Sequence, residues 1–147
     1  MHLPPELWTT VRHAMPIPCV DLLVEDEDRR VLLIERRTFP VGWWFPGGRV
    51  LFGESRIDAV QRKLRQECGL EAVEIDEWWT YDLIFRGEVP ADATPHAITT
   101  VFRVDVLSGP VRLDEHSSRF AWRTAAEWLT EVEHPMLRQG LHQAARQ

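Results

Sequence analysis

The sequence predicts one mixed α/β domain over residues 1–147. Segments rich in β-branched and aromatic residues alternate along the chain with segments whose apolar residues recur at three- and four-residue steps. A length of 147 residues suits one domain with a single sizeable core. The net charge of -6 and the pI of about 5.5 argue against a nucleic-acid-binding domain, which usually carries a basic patch.

The first part of the chain predicts a helix and then a β-hairpin. Residues 5–14 follow two prolines and predict a short helix. Residues 17–25 predict a strand with an early proline, and residues 30–36 predict the next strand after a polar turn at 26–29. The aromatic stretch at 40–48 contains prolines and glycines and predicts a loop.

Residues 56–68 predict the most clearly defined helix. Ser55 is expected to cap its first turn, with Asp58 as the capping-box partner. Gly69 is a suitable C-terminal stop. The residues expected on the apolar face are Ile57, Val60, Leu64 and Cys68.

The second half of the chain predicts further strands followed by two helices. The expected elements in chain order are strands at 72–86 and 97–107 divided by a loop at 87–95, a turn-rich stretch at 110–118, a short strand at 120–122, and helices at 124–131 and 135–146.

The run from Gly47 to Leu70, GGRVLFGESRIDAVQRKLRQECGL, contains the pattern with the clearest chemistry. On a helix, positions 63, 66 and 67 fall on one stripe, which here carries Lys63, Gln66 and Glu67. One carboxylate suits a single hard cation such as Mg²⁺ and not a cluster of metals. Lys63 could pair with Glu67 along the helix or lie near a phosphate group.

This run resembles a Nudix box that lacks two glutamates. Positions matching the box in register are Gly48, Glu54, Arg62, Leu64, Glu67, Gly69 and Leu70, whereas Lys63 and Gln66 stand where the family usually has glutamate. The altered box is similar to that of the GDP-mannose mannosyl hydrolases, as are the flanking segments at 20–25, 35–50 and 114–122. The resemblance implies the Nudix fold, a mixed β-sheet in an α/β/α sandwich.

The same resemblance implies Mg²⁺-dependent hydrolysis of a nucleoside diphosphate sugar. The expected reaction converts GDP-mannose to GDP and mannose through attack of water at the anomeric carbon. Gly47 (through its carbonyl), Glu67 and Glu115 correspond to ligands of one Mg²⁺ per subunit, for which Mn²⁺ could substitute. His116 corresponds to the general base, a task that suits a near-neutral imidazole.

Further residues are assigned to substrate by the resemblance and by residue type. Arg37 corresponds to a cation that stabilises the leaving diphosphate, and Asp21 to a polar residue near the sugar. Arg62 and Arg49 either contact phosphate or brace the loop, since a guanidinium binds oxyanions in a planar fork. The other residues expected at the substrate are Arg36, Trp44 and His96. Trp44 could instead belong to the core or to a dimer interface.

Two other functions are compatible with the sequence. A pyrophosphohydrolase could recruit carboxylates from outside the helix, with Glu74, Asp76, Asp114 and Glu115 available. A catalytically inactive nucleotide-binding module would also tolerate the lost acids. In each case we expect a cytoplasmic homodimer that has free Cys19 and Cys68 thiols and binds neither nucleic acid nor membrane.

Overall fold

A seven-stranded mixed sheet with helices on both faces forms the protein, and the computed structural model describes residues 3–147. The elements in chain order are α1 (Pro5–Ala14), β1 (Ile17–Glu25), β2 (Arg30–Arg36), β3 (Gly42–Trp44), β4 (Gly47–Arg49), α2 (Arg56–Cys68), β5 (Glu74–Ile84), β6 (His96–Asp105), β7 (Ser117–Thr124), α3 (Ala125–Leu129) and α4 (Pro135–Ala145).

Strand β1 lies at the centre of the sheet. The strand order is β3-β2-β1-β6-β5, with β4 also paired to β1 and β7 also paired to β2. β1 runs parallel to β6, with Ile17 opposite Ala97 and Glu25 opposite Asp105, and the other pairings are antiparallel. A strand buried on both faces needs a nearly continuous apolar sequence, which explains the run from Val20 to Val24.

The two faces of the sheet carry separate apolar clusters. Val20 and Leu22 of β1 pack with Val60 and Leu64 of α2 on one face. Leu23, which follows Leu22 in β1, packs on the other face with side chains of α3 and α4. Successive side chains of a strand point to opposite faces, so β1 contributes to both clusters. The predicted α/β/α sandwich is confirmed.

Helix α2 begins and ends where the sequence predicts. The Ser55 hydroxyl accepts a hydrogen bond from the Asp58 amide at 3.1 Å, and Gly69 adopts a left-handed conformation with φ 67° at the C-terminus. Val60, Leu64 and Cys68 are buried as expected. Ile57, in the first turn, is exposed, and Ala59 is buried in the same cluster instead.

The aromatic loop predicted at 40–48 contains two strands that the sequence did not indicate. Strands β3 and β4 have three residues each, too few to establish a period-two pattern, and three of the six positions are glycine, which is uncommon in strands. β7 extends beyond the predicted 120–122 at both ends. Among residues 3–147, the structure contains no helix with the length and apolar character required to cross a bilayer.

Trp128 anchors α3 to the sheet. Its side chain is fully buried, and its indole N–H donates a hydrogen bond to the Val31 carbonyl of β2 at 2.8 Å. Trp43 packs against it with ring centroids 5.1 Å apart. This residue therefore joins the second helical layer to the sheet through both apolar contact and a buried hydrogen bond.

We expect the Trp128→Ala variant to lose about 3–5 kcal/mol in the free energy of unfolding, because it leaves a large cavity and an unpaired Val31 carbonyl. The control is Phe52→Ala, at a residue that is 95% exposed, where the change should stay within about 0.5 kcal/mol. Urea denaturation followed by far-UV circular dichroism measures both. A loss below about 1 kcal/mol for Trp128→Ala would contradict this account of the core.

Candidate functional site

A cavity of about 410 Å³ lies beside β1, β4 and the C-terminal half of α2. One end is apolar and aromatic, with Phe39, Trp44 and Phe85 among its lining residues. The other end is charged, and its charged lining residues include Asp21, Arg36, Lys63 and Glu67. A cavity of this size that combines apolar surface with convergent polar groups is typical of small-molecule sites.

Glu67 lies at the floor of the charged end. It is only 5% exposed, and its two carboxylate oxygens have different partners. One oxygen accepts a hydrogen bond from the Gly47 amide at 3.1 Å, and the other lies 2.9 Å from the Lys63 ammonium nitrogen. Residues four apart on a helix are neighbours, so the sequence of α2 itself brings Lys63 to Glu67.

Gly47 must be glycine because β4 approaches β1 closely at this point. A Cβ atom there would lie 2.2 Å from Asp21 Oδ1 and 2.3 Å from the Val20 carbonyl oxygen. Both distances are well below any normal van der Waals contact. The glycine therefore allows its own amide to reach Glu67 while β1 passes directly beside it.

Asp21 is a buried carboxyl group at the junction of the two ends. It is 7% exposed and accepts a hydrogen bond from the Trp44 indole N–H at 3.1 Å. Burial raises the pKa of Asp21 to about 8, and the hydrogen bond from Trp44 and the nearby Arg36 oppose this rise. The group is therefore largely neutral at pH 7.

Arg62 braces the loop that precedes α2. Its guanidinium donates to the Glu54 carboxylate at 2.7 and 3.0 Å and to the Arg49 carbonyl at 3.0 Å, while Glu54 also accepts from the Leu51 amide. The hydrogen bond from Arg62 lowers the pKa of Glu54. Arg62 does not line the cavity, so the bracing role is the one that its contacts support.

The predicted site residues divide into two groups. Those that line the cavity are Asp21, Arg36, Trp44, Gly47, Glu67 and His116. Those that are not among its lining residues are Arg37, Arg49, Arg62, His96 and Glu115. Of the arginine pair it is Arg36 that faces the cavity, because adjacent strand residues point to opposite sides. Arg37 is exposed, and its amide donates to the His116 carbonyl.

The remaining three residues of the second group, Arg49, His96 and Glu115, lie in three different parts of the structure. The Arg49 guanidinium lies over the Trp8 ring, 4.1 Å from its centroid. His96 begins β6. Glu115 is 81% exposed, and its carboxylate lies 3.4 Å from the His116 ring. His116 is half exposed at the edge of the cavity, where water can reach it.

Arg12 and Cys19 also line the cavity and were not predicted from the sequence. Arg12 comes from α1 and donates to the Asp92 carbonyl at 2.7 Å, across the loop between β5 and β6. The Nε atoms of Arg12 and Arg36 are buried without a hydrogen-bond partner in the part of the chain that the structure describes. Burial raises the pKa of the Cys19 thiol to about 12, so it stays protonated at neutral pH.

The residues at the charged end do not fit the single Mg²⁺ site predicted from Gly47, Glu67 and Glu115. Both oxygens of Glu67 are engaged, one of them by a lysine ammonium. Glu115 is 81% exposed and is not among the residues that line the cavity. Within residues 3–147, no three side chains among histidine, cysteine, aspartate and glutamate converge as metal ligands. The Lys63 ammonium lies where a cation would approach Glu67.

Comparison with known proteins identifies one family. A family model described as the NUDIX domain matches residues 15–145. A Mycobacterium tuberculosis protein provisionally named 8-oxo-dGTP diphosphatase 2 is 36% identical over 87 residues, which are 58% of this chain and 55% of that protein. The chain thus spans about half the length of this relative.

Two further similarities cover more of the chain. The low-salt glycan biosynthesis protein Agl8 of Haloferax volcanii is 28% identical over 120 residues, which are 80% of this chain and 76% of that protein. The crystal structure of the MutT protein from Methanosarcina mazei Go1 has a TM-score of 0.73 and 25% identity, covering 90% of this chain and 96% of that chain.

Asp21 makes the stability of the protein depend on pH. Its folded-state pKa of about 8 lies above its ordinary value of about 4, so folding takes up a proton between these values. Its contribution to stability is therefore fully present below pH 4 and is lost as the pH rises towards 8. The loss approaches about 1.4 kcal/mol per pH unit at its steepest.

We expect the Asp21→Asn variant to remove this dependence, because an amide does not ionise and can still accept from Trp44. Urea denaturation at pH 5, 6, 7 and 8 should show the stability difference between variant and wild type growing in favour of the variant as the pH rises. Asp58→Asn, at an exposed position of α2, is the control and should follow the wild type. Parallel curves for wild type and Asp21→Asn would contradict the raised pKa.

Proposed function

Because the chain belongs to the Nudix domain family, we propose that it hydrolyses a nucleoside diphosphate sugar, with GDP-mannose as the first substrate to test. The observation that carries this proposal is the ion pair between Lys63 and Glu67 at the charged end of the cavity. Attack of water on phosphorus is helped by metals held on several carboxylates. This helix keeps one such carboxylate and places a fixed cation on it.

Attack at the anomeric carbon makes a different demand on the protein. Water adds to carbon, the bond from carbon to the diphosphate oxygen breaks, and GDP leaves with the bonding electrons. The leaving group is a stable anion, and cations at the site can neutralise its charge. Lys63, Arg36 and Arg12 line the cavity and can meet the diphosphate there.

The remaining parts of the cavity suit the rest of such a substrate. The aromatic end has the half-buried Phe39 and Phe85 together with the buried Trp44, and its apolar ring surface suits a base. Asp21 lies between the two ends and can hydrogen-bond a sugar hydroxyl. His116 lies at the solvent edge, where it can take the proton of the attacking water. The similarity to a glycan biosynthesis protein supports a sugar nucleotide, since glycans are assembled from activated sugars.

A second candidate function is cleavage of a pyrophosphate bond by attack on phosphorus. The similarity to a protein provisionally named as a diphosphatase favours it. It would require carboxylates from outside α2, and Glu74, Asp76, Asp114 and Glu115 are not among the residues that line the cavity. The geometry of the site therefore favours the first candidate.

Hydrolysis in ¹⁸O-labelled water distinguishes these functions. GDP-mannose and 8-oxo-dGTP are incubated with the protein, in parallel reactions with MgCl₂ and with EDTA, and the products are analysed by mass spectrometry. We expect the label in mannose, with unlabelled GDP. Label in a nucleoside monophosphate or a sugar phosphate would overturn attack at carbon in favour of the second candidate. Binding of both compounds without turnover would instead indicate an inactive nucleotide-binding module.

We expect His116→Asn to lower kcat for GDP-mannose by roughly 100-fold or more, with a smaller effect on KM, since the variant loses its base and keeps the cationic end of the cavity. The control is His142→Asn, at an exposed position of α4, which should leave kcat unchanged. Steady-state kinetics measures both variants. A kcat for His116→Asn within about twofold of the wild type would exclude His116 as the base.

The proposal also includes a homodimer, as the resemblance and the seven tryptophans suggest, and a cytoplasmic location, as the sequence predicts. Strand β5 lies at one edge of the sheet, and its Trp78 and Trp79 stack with ring centroids 5.9 Å apart. Tryptophan is enriched at protein interfaces, so this edge is the contact we propose. Light scattering that gives the mass of one chain would exclude the dimer.

A further inference from the structure

Lys63 is held in a defined position and is not a freely moving surface lysine. Its side chain is 16% exposed, and its ammonium nitrogen lies 2.9 Å from Glu67 Oε2. A Cβ atom on Gly48 would lie 2.8 Å from Lys63 Cε and 3.1 Å from its nitrogen, so the backbone of β4 directly adjoins the lysine. The glycine at 48 thus makes room for Lys63 between α2 and β4.

The groups that face Lys63 come from three elements. Glu67 lies on the same helix, Cys19 and Asp21 lie on β1, and Gly48 lies on β4. With Gly47 on one oxygen of Glu67 and Lys63 on the other, the carboxylate already has two partners. A second, divalent cation at Glu67 would have to bind beside a positive charge, which is unfavourable in a poorly solvated site.

Nudix hydrolases generally use a divalent metal, and this arrangement differs from that pattern. We propose that the Lys63 ammonium group is the resident cation of the Glu67 site. The site then binds the diphosphate group of its ligand without a divalent metal, through Lys63 and the two arginines that line the same cavity, Arg12 and Arg36. The proposal says which cation pairs with Glu67, and it holds whether or not the bound compound is hydrolysed.

The donors around Lys63 support direct binding of an anion. An ammonium group has three N–H donors, and Glu67 is the one carboxylate within ion-pair distance of Lys63 among residues 3–147. Arg12 and Arg36 line the same cavity, and each has a buried Nε without a partner within those residues. A diphosphate offers oxygen acceptors to all three side chains, and charge-assisted bonds of this kind are the strong ones.

Metal binding tests the first half of the proposal without any catalytic step. Electron paramagnetic resonance of free Mn²⁺ measures the affinity of the wild type, of Lys63→Glu and of Gln66→Glu. The first variant replaces the resident cation by the family's carboxylate. The second is the matched control, because it adds the family's other glutamate at an exposed position and keeps Lys63. A gain of at least roughly tenfold is expected for Lys63→Glu alone.

Three results would overturn this half of the proposal. Tight Mn²⁺ binding by the wild type that is abolished in Glu67→Gln would show that Lys63 does not exclude a metal. An equal gain in Mn²⁺ affinity in Gln66→Glu and Lys63→Glu would show that the number of carboxylates alone determines metal binding. A folded Lys63→Glu variant without any gain would show that the site cannot hold a metal for another reason.

Anion binding tests the second half and remains informative if Lys63→Glu does not fold. Isothermal titration calorimetry with inorganic pyrophosphate in EDTA should show binding by the wild type and a loss of at least roughly tenfold in Lys63→Gln. Arg65→Gln, which removes an exposed cation from the same helix, is the control and should bind like the wild type. Binding that requires added Mg²⁺, or equal affinity in Lys63→Gln, would overturn the proposal. Neither titration involves turnover, so a failure of this proposal can be distinguished from a failure of the proposed function in the labelled-water assay.

Discussion

The close approach of β4 to β1 at Gly47 determines the geometry of the whole site. A side chain at this position would collide with the Asp21 carboxyl group and the Val20 carbonyl, so the two strands can pair only if position 47 is glycine. This pairing brings the Gly47 amide to Glu67, and it carries Trp44, three residues earlier, to Asp21. One backbone contact therefore fixes two carboxyl groups from different elements in a single cavity.

The consequences of the two missing glutamates differ, because positions 63 and 66 have different surroundings. Gln66 is exposed and accepts a hydrogen bond from Arg62, so its amide joins the loop brace at the surface. Lys63 is enclosed between α2 and β4 and pairs with the one retained acid. In the sequence, positions 63 and 66 fall on the same helical stripe, and spacing alone does not distinguish the edge of a helix face from its centre. Of the two replaced glutamates, the one at position 63 is therefore the replacement that alters the charged end of the cavity.

Local signals explain why much of the fold could be predicted from the sequence. The limits of α2 follow from a serine cap and a glycine stop, and the hairpin of β1 and β2 follows from two apolar runs around a polar turn. The cavity depends on contacts between distant segments, which such signals do not contain. Arg12 reaches the cavity by contacting a loop 80 positions further along the chain. Glu115 occupies a loop that resembles a metal-binding one, yet the loop directs its neighbour His116 to the cavity and leaves Glu115 in solvent.

A fixed ammonium and a divalent metal are not equivalent cations, and the difference constrains the chemistry. Both can neutralise a diphosphate, but a metal also lowers the pKa of a bound water and so creates its own nucleophile. A lysine cannot do this, so a site built on Lys63 needs a separate base and a reaction in which leaving-group stabilisation counts most. In the proposed function, His116 at the edge of the cavity supplies the base, and a sugar carbon bearing a diphosphate supplies the leaving group. The buried pair of Lys63 and Glu67 need not stabilise the fold to be retained, because buried ion pairs contribute little net stability after desolvation. The ion pair holds a positive charge at one place in the cavity, which is what the proposed diphosphate binding requires.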